Sequence, residues 1–260
     1  MNDQLPTPAL RRFYRARCVA QHGFSLIELM VAIGMALFLA AGLITTVVTL
    51  KGTFNSQDQM GQLQENQRFT LTVLSNTLHN AGFFATYQSK SRTDAFPAVS
   101  GANLDGTSFD STQFLTGTEG AASDTIDLRF QTADGDTLTN CLGGTNTTGA
   151  PVTWTNSFAV IGNQLVCSVG INGVGPTSDN KNVVVADQVA SMQILYGTDT
   201  ANRGSVDQYL RATDMTAVLW GRVRSVQISI TFLDPFKSTP TNPVPLPTAL
   251  VQTISVMNLQ

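Results

Sequence analysis

Twenty-two consecutive residues, Leu29 to Leu50, carry no formal charge, and a glutamate, Glu28, stands immediately before them. At about 1.5 Å per residue, such a run in helical form crosses a hydrocarbon core of roughly 30 Å. An unpaired charge at full depth there costs on the order of 2.5–3.5 kcal/mol. Glu28 therefore needs a partner, yet no Lys or Arg follows it before Lys51. The counter-charge is expected to come from another molecule.

Gly23-Phe24 joins this run to a leader containing Arg11, Arg12, Arg15 and Arg17. A secretory signal peptide places its apolar stretch before a small-residue cleavage site. Here the glycine comes first, so cleavage beside it would leave the helix on the mature chain. The positive-inside bias puts the leader in the cytoplasm and everything after Lys51 outside. No later segment approaches 18 apolar residues, which argues against several spans.

The leader, Gly23, Phe24 and Glu28, in this register, resemble the processing signal of type IV prepilins and related pseudopilins. The resemblance implies that a membrane prepilin peptidase cuts after Gly23 and methylates the new amino group of Phe24. It also implies that Glu28 pairs with the N-terminal ammonium of a neighbouring subunit during assembly. An ordinary signal anchor with a stray glutamate is the plain alternative. On the pilin reading, residues 1–23 are a cleaved basic leader and 24–50 the transmembrane and filament-core helix. Residues 51–82 form an amphipathic helix continuing into the head, and 83–260 a β-rich globular head with a Pro-rich linker at 235–247. The expected class is α+β, a long N-terminal helix packed on an antiparallel sheet.

Charged residues make up 13% of the chain, against about 25% in average soluble domains. The leader holds four Arg and one Asp, so the remainder carries −6 against −3 for the whole. An acidic, Thr-rich head is a poor nucleic-acid binder. Cys18 would leave with the leader, and an isolated pair, Cys141 and Cys167, in an exported domain is most simply a disulfide. Closing its loop is worth about 3.5 kcal/mol in the chain-entropy model. A metal site would need more soft ligands than His22 and His79 supply.

Between residues 51 and 80, Met60, Leu63, Leu71, Leu74 and Leu78 fall near one helical face. Asn80-Ala81-Gly82 reads as a helix stop. In the apolar half, Ala32, Ala36 and Ala40 form a small-residue ridge that permits close helix approach, or reflect only the ordinary composition of membrane helices. Many pilins carry a helix-bending proline in this half; here there is none.

Beyond residue 85 the pattern becomes β-rich. Ile126, Leu128 and Phe130 alternate, and segments 158–161 and 164–167 flank Gly162-Asn163, a two-residue hairpin signal. Further strands are expected at 183–185, 192–196, 226–232 and 250–256. Residues 131–157 and 170–182 read as loops, and the prolines between Phe232 and Leu250 as an extended linker. The stretch from Val189 to Leu210, followed by Leu219 to Val226, resembles the C-terminal region of PilW-type minor pilins. The matching positions are Tyr196, Gly197, Asp199, Tyr209, Trp220 and Val226.

Catalytic motifs are lacking: the sequence contains no His-Glu-x-x-His, Gly-x-Ser-x-Gly or phosphate loop. Asp134-Gly135-Asp136 and the loop from Asp199 to Asp207 have carboxylates suited to calcium, without the spacing of a known loop. No cofactor, metal or catalytic residue is expected. The leading expectation is a noncatalytic minor pilin that primes or caps a type IV pilus of a Gram-negative bacterium. It would insert in the inner membrane with its head periplasmic, then reach the cell surface. Its partners would be the prepilin peptidase, major and minor pilins, the inner-membrane assembly machinery and a tip adhesin. The alternatives are a pseudopilin of a type II secretion system and a single-pass membrane-anchored adhesin or enzyme.

Overall fold

The computed structural model describes residues 23–85, 87–88, 90–100, 106 and 108–256. Most of the leader and residues 257–260 therefore lie outside the described residues. Two compact units divide at Phe54 and Asn55, and helix α1, Leu26–Asn80, runs through both. In the first unit every residue from Gly23 to Phe54 is exposed. Its best 18-residue window has a mean hydropathy of 2.4, enough to cross a membrane by length and composition.

In the second unit, α1 buries Leu63, Thr70, Leu74, Thr77 and Leu78. This stripe differs from the expected one. Met60 is 41% exposed and Leu71 is half-buried, while Thr70 and Thr77 join Leu63, Leu74 and Leu78 in the buried stripe. Thr77 is accommodated because its hydroxyl donates to Val73 O at 2.7 Å, returning the polar group to the helix's own backbone. After Asn80 the chain turns at Gly82, φ +77°, a left-handed conformation that favours glycine. Gly82 N–H donates to Arg129 O at 3.0 Å, stitching the helix end to the sheet.

The head elements follow as α2 (Arg92–Ala95), β1 (Val99–Ser100), β2 (Ser108–Phe109), β3 (Leu115–Thr118) and β4 (Thr125–Thr132). Then come β5 (Val152–Ile161), β6 (Gln164–Ile171), β7 (Val183–Asp187) and β8 (Val189–Thr198). Last are β9 (Gln208–Leu210), α3 (Ala217–Trp220), β10 (Val223–Phe232) and β11 (Leu250–Ser255). All strand pairs are antiparallel, in a five-stranded sheet ordered β3-β4-β5-β6-β7, a four-stranded sheet ordered β11-β10-β8-β9, and the pair β1-β2. The fold is α+β, a long apolar N-terminal helix with an antiparallel β head.

Period-two burial builds the core. Ile126, Leu128 and Phe130 of β4, Phe158 of β5, Ile194 and Tyr196 of β8 and Val226, Ile228 and Ile230 of β10 join Leu74 and Leu78 in one buried cluster. Gly162 and Asn163, φ +59° and +63°, form the two-residue turn between β5 and β6, with Ile161 opposite Gln164.

Three expectations need correction. β5 begins at Val152, inside the stretch read as loop, because Val-Thr-Trp-Thr-Asn-Ser alternates although its second face is polar. The short strands β3 and β9 carry no clear alternation and were not foreseen. The proline-rich segment is not extended. It folds back on itself: Asp234 N–H donates to Val244 O (2.8 Å), Leu246 N–H to Phe232 O (2.7 Å) and Ser238 Oγ to Val244 O (2.9 Å).

Candidate functional site

The N-terminal candidate segment is described through five residues. Gly23, Phe24 and Ser25 are non-helical, and Leu29 N–H donates to Ser25 O at 3.1 Å, so Ser25 closes the first turn of α1. The Gly23–Phe24 peptide thus stands outside the helix. Phe24 is 82% exposed. Glu28 lies in the first helical turn, where the positive end of the helix dipole favours a carboxylate. It has no ion-pair partner among the described residues. Farther along, the Thr45 and Thr46 hydroxyls both donate to Gly42 O, at 2.8 and 2.9 Å, and Thr49 donates to Thr45 O at 2.9 Å. Hydroxyls that would otherwise face lipid unpaired are thereby satisfied.

In the head, Cys141 and Cys167 form a disulfide with Cα atoms 6.5 Å apart, tying the loop after β4 to the centre of β6. Asn156 reinforces the tie, its Oδ1 accepting from Cys141 N–H at 2.8 Å.

Residues from the C-terminal motif converge on one loop. The buried Asp199 carboxylate accepts from Arg203 N–H (2.7 Å), Gly204 N–H (2.6 Å) and Arg224 Nη2 (3.2 Å). These bonds, led by the one from Arg203, hold its carboxyl below the usual range. Asp207 accepts from Thr200 N–H and Ala201 N–H at 3.0 and 2.9 Å, which likewise lowers its pKa. Both carboxylates suggested for calcium are therefore engaged by loop N–H groups. Tyr196 packs edge-on against Trp220, ring centroids 4.7 Å apart, and the Tyr209 hydroxyl lies 3.2 Å from Ser225 Oγ. Gly197 sits between them, where a Cβ would collide with Ser225 Oγ. Val226 belongs to the core. The motif is the lock of the β8–β9–β10 corner.

The Asp134–Asp136 turn also spends its carboxylates on backbone. Asp134 Oδ1 accepts from Gly149 N–H and Asp136 Oδ2 from Ala133 N–H. Among the described residues no three His, Cys, Asp or Glu side chains gather as a metal set.

One important residue escaped the sequence reading. Arg129, on the second face of β4, is 2% exposed. It donates Nε to Gln113 O (2.6 Å), Nη1 to Pro97 O (2.7 Å) and Nη2 to Phe96 O and Asp110 O (3.2 and 3.0 Å). Burial lowers its pKa to about 10.

The family model of the prokaryotic N-terminal methylation motif matches residues 19–44, which contain Gly23, Phe24 and Glu28. The model of the Type IV Pilus-assembly protein W matches residues 146–249, which contain the Asp199 lock. Over these two regions the chain is similar to type IV pilin-like proteins. Solved structures similar to it include a type IV-like pilin from Thermus thermophilus, 13% identical with a TM-score of 0.43, covering 76% of this chain and 97% of that one. Another is a binary complex of two pseudopilins from the type 2 secretion system of Vibrio vulnificus, 8% identical, TM-score 0.42, covering 78% and 95%. A third is the GspK-GspI-GspJ complex of enterotoxigenic Escherichia coli, 12% identical, TM-score 0.40, covering 78% and 99%. No curated protein matches the chain. The first matched region spans Gly23, Phe24, Glu28 and part of the apolar helix, and the second much of the head from β5 to β10.

Proposed function

We propose that this pilin-like chain is a minor pilin subunit of a type IV pilus, a noncatalytic building block that primes or caps filament assembly. The observation carrying this reading is the methylation-motif match on a segment whose Gly23–Phe24 bond precedes an apolar helix with every side chain exposed. An apolar surface of that length is not left in water; it passes from lipid to the packed interior of a filament. Prepilin peptidase cuts after Gly23 in the inner membrane and methylates Phe24, and the head faces the periplasm before reaching the cell surface. Glu28 then meets the ammonium of a neighbouring pilin's first residue. Neighbouring pilins, the inner-membrane assembly machinery and a tip adhesin are the partners this reading requires.

The test is N-terminal mass spectrometry on fibres sheared from cells. A chain beginning at N-methylated Phe24 supports both processing and filament membership. A processed chain confined to membranes favours a secretion pseudopilin, and an intact leader returns the protein to the ordinary anchored class.

A further inference from the structure

The second face of the five-stranded sheet encloses a cavity of about 190 Å³ with a polar floor and an apolar side. Four chemical groups converge there. Thr155 lines it at 2% exposure, and its hydroxyl has no hydrogen-bond partner among the described residues. That hydroxyl is not sealed among the buried unsatisfied polar atoms, so it can donate to or accept from a molecule in the cavity. Asn172, φ +51°, has its amide orientation fixed because Oδ1 accepts from Thr153 N–H at 2.8 Å, which leaves Nδ2 as a donor. Arg129 uses four of its five N–H groups on carbonyls, and the remaining one is on Nη1. At the mouth, Asp94 takes both of its bonds from Ser91 on Oδ2, leaving Oδ1 as an acceptor. Pro97 and Val99 supply the apolar side.

One guanidinium and one carboxylate cancel, so the site selects neither anion nor cation. Interleaved donors and acceptors beside an apolar wall match a molecule with hydroxyls on its rim and C–H groups on its face. The volume falls below the roughly 300–1,000 Å³ of pockets for drug-sized ligands. We propose that this cavity binds a single sugar ring of an uncharged glycan. The inference does not rest on the pilus reading, since a membrane-anchored adhesin would present the same head.

Saturation-transfer difference NMR on the full-length protein, in micelles of a detergent without a sugar headgroup, tests it. The probes are glucose, galactose, mannose and N-acetylglucosamine, with inorganic phosphate as the charged control. At least one sugar should saturate, and Thr155→Val should weaken it about tenfold, the equivalent of one hydrogen bond. Without ligand, that variant should melt no lower than the parent, because it only replaces an unpaired hydroxyl with a methyl. Asn172→Asp, which keeps the acceptor for Thr153, should weaken the same sugar. The proposal is overturned if no sugar saturates, if phosphate saturates instead, or if Thr155→Val binds as the parent does.

Discussion

The Arg129 guanidinium lies 4.7 Å from the centroid of the Phe109 ring, and its other close aromatic neighbour is Phe96 at 5.3 Å. Together with the four carbonyl bonds, these contacts fasten residues 96–97 and 109–113 over the polar face of β4. The same residue's backbone oxygen receives Gly82 N–H, so one position joins helix end, sheet and cover. A buried cation held by carbonyls and aromatic faces holds these elements in a fixed arrangement.

Arg129→Ala removes donors from four buried or partly buried carbonyls, and the expected loss is about 3 kcal/mol or more. Arg129→Lys should recover less than half of it, since an ammonium can neither fork to four acceptors nor stack as a plane. Urea midpoints of the full chain in detergent measure both. Limited proteolysis should cut first between residues 96 and 113 in the alanine variant.

Acid should release the Asp199 lock. Its carboxyl is held below the ordinary 3.8 by the N–H groups of Arg203 and Gly204 and by Arg224. A depressed carboxyl contributes stability that is fully present above the unfolded value and is lost as pH falls through the folded one. Trp220 fluorescence should therefore stay constant down to about pH 4 and change below it. Asp199→Asn should already give the altered signal at pH 7 and lose the acid transition. An unchanged spectrum in that variant would mean the loop holds without its carboxylate.

Reduction of Cys141–Cys167 should cost about 2–4 kcal/mol. Its loop contains Asn146, whose Nδ2 bonds to Thr132 O and Ala150 O keep that stretch folded locally. The expected result is a lower melting temperature with the sheet retained. Far-ultraviolet circular dichroism with and without reductant, compared with the Cys141→Ser/Cys167→Ser double variant, checks it.

The parts of this molecule written in local chemistry were readable from its sequence. The apolar run preceded by Glu28, the alternation in β4 and β10, and the Gly162-Asn163 turn each declare their element within about ten residues. Arg129 did not, because its place in Thr-Ile-Asp-Leu-Arg-Phe-Gln-Thr is that of a solvent-facing residue. Only the cover formed by residues 96–97 and 109–113, remote in space until folding, turns that face inward. For the same reason the polar half of β5 passed for loop and the cavity around Thr155 gave no signal. The C-terminal motif stood out by resemblance, but its meaning as a loop lock needed the positions of Ser225 and Arg224.

The N-terminal segment offers the sharpest separation of stability from assembly. Glu28 belongs to the first compact unit, and the head's core residues belong to the second. Glu28→Ala should therefore leave the melting temperature of the head within about a degree of the parent, since surface changes away from packed groups stay within about ±0.5 kcal/mol. Incorporation into fibres should nonetheless fall below detection, because each subunit would then lack the counter-charge for its neighbour's ammonium. Gly23→Ala is expected to act one step earlier, leaving a full-length precursor in the membrane on immunoblots. If Glu28→Ala subunits reach sheared fibres at normal levels, the charge pairing is wrong. If the Gly23 variant is still shortened, the peptidase assignment is wrong independently of it.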